Sequence, residues 1–365
     1  MMKNLVKPLR SLLFKKLQVK KIKVKKLHFL ESLMYLDAVI TLSQMQNEAK
    51  SAISTLINAL KEPELRDNAI VTLGNIGIAA KAAVPDLIEI LQDENAVIRI
   101  SVIESLCKIG AEVKTIPSLI ATLEDTSPQV RASAAFALGC FHQKAKAAVE
   151  PLIVALQDED DWVRTNSAEA LSRIKDAKIA IPALTIALQD NYPRVRGKAA
   201  LALANIGKAS EVISSLVAAF SDNDARVRAA IADALGSFAE EGKIAACVLV
   251  NALEDNNVYV RISSAKALIK IGMEIPVSMR ILRDVFKTED KQIRMNAALN
   301  LGIIALNVQE KANKLSAIEL EQVISSLRSF CDVLKVQGFD STDFVLVLLN
   351  DALESLRKER RSRGR

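Results

Sequence analysis

The chain has 365 residues, half of them hydrophobic but only 4% aromatic, with a formal net charge of +6. Apolar content carried by Ala, Leu, Ile and Val favours closely packed helices over a β-sandwich, which would want more aromatic residues. Only two histidines, His28 and His142, are present, so the commonest acid–base side chain is nearly absent. No CxxC occurs among Cys107, Cys140, Cys247 and Cys331, which argues against a zinc ribbon or a thioredoxin-like motif.

Residues 1–33 form a basic amphipathic segment. The first 30 residues hold ten Lys/Arg and no acid. Leu5, Leu9, Leu12, Leu13 and Leu17 make a helical apolar stripe, with Lys7, Arg10, Lys15, Lys16 and Lys20 elsewhere. Such a helix can cover the open end of an array, which is the preferred reading. It can also lie on an anionic membrane surface or serve as a targeting peptide. Lysines interrupt every apolar run there, so no signal-peptide pattern emerges. No apolar stretch is read as reaching the roughly 18 residues that span a bilayer. The expectation is a cytoplasmic chain, peripheral at a membrane surface if the N-terminus makes that contact.

Residues 34–306 repeat. An apolar–Arg pair recurs at Arg66, Arg99, Arg131, Arg164, Arg196, Arg228, Arg261 and Arg294, always 32 or 33 residues apart. Seven residues after each arginine stands leucine, and ten after stands Ile or Phe. Positions −1, +3, +7 and +10 share one face of a helix. This is the second helix of a hairpin unit, and Gly77, Gly110, Gly207 and Gly272 suit left-handed caps at its end. The first helix starts Val84-Pro85, Ile116-Pro117 or Ile181-Pro182, with proline in the first turn, where no N–H is needed. An aspartate precedes the arginine by six residues in six units: Asp93 and Arg99, Asp125 and Arg131, Asp158 and Arg164, Asp190 and Arg196, Asp222 and Arg228, Asp255 and Arg261.

This hairpin, with its turn aspartate and helix-opening arginine, resembles a HEAT repeat. The short period, and phrases such as Leu156-Gln157-Asp158-Glu159-Asp160-Asp161-Trp162-Val163-Arg164, are similar to the phycobilisome-lyase subtype. The resemblance implies an all-α, right-handed α-α superhelix, a HEAT-type solenoid of about eight units with non-repeat helical caps. It also implies that the Asp and Arg residues form a hydrogen-bonded ladder between units, and that the second helices line a concave face. Opposite charges repeated at every unit belong to architecture, because a catalytic site would break the period at one place.

Function is therefore sought at positions that do not repeat. The +2, +5 and +9 positions point away from the core stripe. They include Phe136, Cys140, Glu169, Arg173, Leu201 and Asn205. Phe136 and Leu201 are either anchors for a protein partner or ordinary exposed apolar residues. Phe136 and Cys140, four apart, share one patch. Trp162, the sole tryptophan, lies among Asp158, Glu159, Asp160 and Asp161. It either grips a partner or, the preferred reading, packs on the next unit. His142 reads as a polar helix end, and the cysteines as lone buried thiols in a reducing compartment.

Residues 307–356 read as an αα-hairpin cap. Ser316 and Glu319 form a capping-box pattern before Leu320, Val323, Ile324 and Leu327, and a second helix carries Leu348, Leu349, Ala352 and Leu356. The basic tail, 357–365, is expected to be disordered. Between the basic ends, residues 31–355 hold 33 basic and 42 acidic residues. A nucleic-acid solenoid should carry basic charge on its body, so a HEAT-like DNA-repair protein is disfavoured. The expectation is a non-enzymatic scaffold for an unidentified protein partner, with no metal and no cofactor. The alternative implied by the subtype is a phycobilin lyase or phycobilisome-associated chaperone holding a bilin, with Phe136, Cys140, His142 and Trp162 as residues of interest.

Overall fold

The computed structural model describes residues 51–110, 113–174, 177–286, 315–336 and 344–363. The basic N-terminal segment and the unit opened by Arg294 lie outside the described residues. The chain divides into two units, residues 1–73 and 74–365. Among the described residues every regular element is helical.

In the first unit a helical stretch, 51–59, leads into α1 (Pro63–Ile76), which runs to the unit boundary and just past it. Ile53, Leu60, Ala69, Ile70 and Leu73 are buried, and Arg66 Nε donates to the Leu60 carbonyl at 2.9 Å.

The second unit contains six complete hairpins among its described residues. Their first helices are α2 (Val84–Ile90), α4 (Ile116–Ala121), α6 (Val149–Ala155), α8 (Ile181–Ala187), α10 (Ala209–Ala218) and α12 (Ala246–Asn251). Their second helices are α3 (Ala96–Ile109), α5 (Pro128–Cys140), α7 (Asp161–Arg173), α9 (Pro193–Ile206), α11 (Ala225–Gly236) and α13 (Val258–Ile271). The core sits between the two rows. Leu106, Leu138, Leu171, Leu203, Leu235 and Leu268 are completely buried, as are Val130, Val163, Val195 and Val260 one residue before their arginines.

Each second helix starts and stops for local reasons. Asn95, Asp160, Asp224 and Asn257 accept hydrogen bonds from first-turn amides, and proline opens α5 and α9. The residue eleven after the arginine ends most of them in the left-handed region: Gly77 at φ 69°, Gly110 at 75° and Gly272 at 78°. His142 and Ala239 occupy the same position at φ 49°, so His142 is a helix-ending residue with its side chain exposed. Gly207 corrects the sequence expectation, since its φ is −88°. What it supplies is space, because a Cβ there would lie 2.5 Å from a Val212 methyl.

Residues 63–90 also depart from expectation. Their length and mean hydropathy of 1.3 over 18 residues would suit a membrane crossing. They form α1, a short 3₁₀ segment and α2, with a left-handed break at Gly77.

After α14 (Ile275–Phe286), the helices α15 (Ala317–Val336) and α16 (Phe344–Arg363) pack on each other, and α15 packs on α14. The Ser316 amide donates to Glu319 Oε2 at 2.8 Å and the Glu319 amide to Ser316 Oγ at 3.2 Å, a reciprocal cap. Leu320, Val323, Leu327, Phe330, Leu349 and Leu356 are buried. The Arg-rich tail is helical through Arg363 rather than disordered. Lys, Arg and Glu are good helix formers, and Arg360 reaches Glu321 of α15 at 2.8 Å.

Candidate functional site

Two surfaces of the second unit are chemically distinct. Along one edge run the Asp–Arg pairs. Arg99, Arg131, Arg164, Arg196 and Arg228 each grip the aspartate of the next hairpin with two nitrogens: Asp125, Asp158, Asp190, Asp222 and Asp255, at 2.6–3.0 Å. The remaining guanidinium nitrogen donates to carbonyls of the arginine's own turn, as from Arg164 to Asp158 O at 2.7 Å and Glu159 O at 3.0 Å. Each aspartate also accepts the amide two residues on. Asp93 does so with Asn95, and Arg261 donates to the carbonyls of Asp255 and Asn256.

These groups are saturated. Burial raises the pKa of Asp125, Asp158, Asp190 and Asp222, but the arginine hydrogen bonds, the backbone amide and the neighbouring charge outweigh it. All four lie below the usual carboxylate range. Asp255 does too, chiefly through Arg228. A crevice of about 570 Å³ opens at this edge around Asp190, Arg196 and Asp222. Arg196 and Asp222 there bind each other, and Asp190 binds Arg164.

The second surface is a groove of about 590 Å³ across three successive second helices. From α3 it takes Ile103, Glu104, Cys107 and Lys108. From α5 it takes Gln129, Ala132, Ser133 and Phe136. Asp160, Trp162 and Asn166 close it at the start of α7. Phe136 is 45% exposed and Trp162 53%, large values for aromatics in so apolar a chain. Cations stack on the rings. Arg173 lies 5.5 Å from the Phe136 centroid, and Arg194 of the next hairpin 3.7 Å from that of Trp162. Trp162 thus touches the next unit and faces the groove at once.

The closeness of successive second helices varies along the array. Eight residues after the arginine, Gly139 and Gly236 let the following helix approach so closely that a Cβ would meet Ala170 Cα at 2.9 Å and Ala267 Cα at 2.7 Å. Gly74 does the same against Ser105. On α3 that position is Cys107. There α3 and α5 touch over a shorter stretch than α5 and α7.

Cys107 on α3 and Cys140 on the next second helix act on each other's titration. Cys107 favours the Cys140 thiolate, as do the charge and hydrogen bond of Arg173, while burial and Glu169 oppose it; the balance is a pKa lowered to about 6. The thiol of Cys107 is pushed above the ordinary range by Cys140, by burial and by the charge of Glu104. Glu169 is bound by Arg173 on its own helix and by Lys198 of α9 at 2.8 Å.

Of the residues singled out by sequence, the structure brings Phe136, Cys140, Glu169, Arg173 and Trp162 into one neighbourhood. Leu201, half-buried, and Asn205, exposed, stand on α9 outside the groove lining. Sequence reasoning passed over Cys107. The signal available was that Cys107 stands eight and Cys140 nine residues after the arginines of successive units. Among the described residues no group of three or more His, Cys, Asp or Glu is placed to hold a metal ion.

A family model described as HEAT repeats matches residues 53–123, 116–204, 181–248 and 213–302. The chain belongs to the HEAT-repeat family. No curated protein matches it. Among solved structures, the array is similar to the complex of CpcE and CpcF of phycocyanin lyase from Nostoc sp. PCC7120. That match has 24% identity, covers 66% of this chain and 94% of that one, and has a TM-score of 0.46. It is also similar to YIBA of Escherichia coli (24% identity, 71% and 96% covered, TM-score 0.48) and to an engineered protein (20%, 84% and 98%, 0.44).

Proposed function

We propose that this HEAT array is a binding scaffold that holds a protein partner in the groove across α3, α5 and α7. The observation that carries this reading is the placement of two exposed aromatics, Phe136 and Trp162, in one groove of about 590 Å³. Interface anchors are enriched in aromatic and arginine side chains that fill such depressions. Glu104, Lys108 and Asp160 supply a polar rim of both signs. The ladder edge also exposes a ring, Tyr192, but it lies over Arg164, and the arginines there are spent between units.

A photo-crosslinking phenylalanine analogue at position 136 tests this, with the same analogue at Ile186, which is 74% exposed on α8, as control. The proposal expects a protein cross-linked from native lysate at 136 and not at 186. Equal capture at both positions, or capture at 186 alone, contradicts it.

A second reading takes the groove as a seat for a bilin. It is supported by the likeness of the repeat to the phycobilisome-lyase subtype and by aromatic walls in a groove that Cys107 also lines. Phycocyanobilin added to the protein would then show a red-shifted, strengthened visible band that Phe136→Ala and Trp162→Ala weaken. An unchanged spectrum at high concentration sinks this reading.

A further inference from the structure

The polar groups of the groove differ in how far the protein itself satisfies them. Glu104 on α3 is exposed and has no hydrogen-bond or ion-pair partner among the described residues. Asp160 spends Oδ1 on the amides of Trp162 and Val163, which leaves Oδ2 without a partner among the described residues. Asn166 spends its amide nitrogen on the Ala132 carbonyl at 2.9 Å, which leaves its oxygen. Among the donors, Lys108 already reaches Asn75 at 3.4 Å. The open groups are thus mainly acceptors, and two of them are carboxylates, one from α3 and one from the start of α7. Covering them with an apolar surface would strand them without water or partner.

The openness of Glu104 is particular to this place in the array. Five residues after the ladder arginine, successive second helices carry Glu104, Phe136, Glu169, Leu201 and Asp233. Glu169 is closed by Arg173 and Lys198, and Lys266 stands 2.7 Å from Asp233. Glu104 is the acid of this row that has no cation of its own among the described residues.

The rings in the same lining suit a cation too. Arg173 already lies on Phe136 and Arg194 on Trp162, so both π faces take a guanidinium, and each ring has a second face. A guanidinium is planar, stacks on aromatic faces and donates in its own plane to carboxylates. A phosphate or carboxylate would instead meet Glu104 and Asp160 as like charges.

We propose, on the reading of the groove as the partner's seat, that the partner enters it with an arginine side chain. Glu104 and the open oxygen of Asp160 receive its guanidinium, and Phe136 and Trp162 cover its faces. The partner segment is therefore basic where it meets α3, α5 and α7.

Trp162 is the only tryptophan of the chain, so its fluorescence reports on the groove directly. The full-length protein is titrated with short blocked peptides that differ only in one residue between leucines: arginine, glutamine or glutamate. The arginine peptide should change the fluorescence saturably and bind about tenfold tighter than the glutamine peptide, with the glutamate peptide weaker still. Added salt should narrow that gap. The Glu104→Gln/Asp160→Asn variant, in which asparagine still caps α7, should bind the arginine and glutamine peptides alike and melt as the parent does. Equal binding of those two peptides by the parent, tighter binding of the glutamate peptide, a preference that survives in the variant, or no fluorescence change with the arginine peptide at millimolar concentration overturns the proposal. Each of these leaves cross-linking at position 136 untouched as the test of the seat. Equal capture at 136 and 186 strikes the seat itself, whatever the peptides do.

Discussion

The ladder edge and the groove are built from the same helices and obey opposite rules. At the edge, Arg164 meets Asp190 as Arg131 meets Asp158, with the same atoms at nearly the same distances. In the groove nothing repeats. Phe136, Cys107 and Trp162 occupy three different register positions and have no equivalents one unit along. Periodicity marks what every unit needs in order to stack, and its interruption marks what a single place does.

The comparison breaks if the edge can be altered freely. Arg164→Ala should be the most damaging single change, since it leaves Asp190 part-buried without its cation. A loss of about 3 kcal/mol or more is expected in urea denaturation followed by circular dichroism. Gly139→Val, which drives a side chain into Ala170, should lose about 1–3 kcal/mol through overpacking. Asp160→Ala removes the cap on α7 and should lose about 1 kcal/mol.

Acid provides a titration of the same edge. The pKa values of Asp125, Asp158, Asp190, Asp222 and Asp255 are depressed in the folded chain. Their contribution is complete above the unfolded carboxylate pKa of about 3.9 and is lost as pH falls through the folded values. The melting temperature should hold steady down to about pH 4 and drop below it. Replacing Asp190 with Asn should flatten that drop. The smallest effect belongs to Trp162→Ala, expected within about 1 kcal/mol because it removes an exposed cation–π contact with Arg194.

The repeat, its hairpin form and the buried leucine column were legible because stacking imposes them on every unit, so eight copies of the signal reinforce one another. The ladder partners were legible for the same reason. The groove was harder to read because it depends on one unit's departure from its neighbours. Phe136 and Trp162 stood out by residue type, but nothing in a single helix says that both face one hollow. That follows from how α3, α5 and α7 pack side by side, a tertiary effect. Leu201 looked equivalent to Phe136 by register, yet it is half-buried where Phe136 is exposed. The tail was misread because composition alone signalled disorder, whereas Glu321 gives Arg360 an anchor.

The measurement that bears most directly on the division between architecture and binding is the affinity of the Phe136→Ala/Trp162→Ala double variant for the partner captured at position 136, taken beside its melting curve. The account predicts binding weakened tenfold or more, as for interface anchors worth about 2 kcal/mol, with a melting temperature within a few degrees of the parent's. Full binding by the double variant, or loss of binding only with loss of the fold, would contradict it.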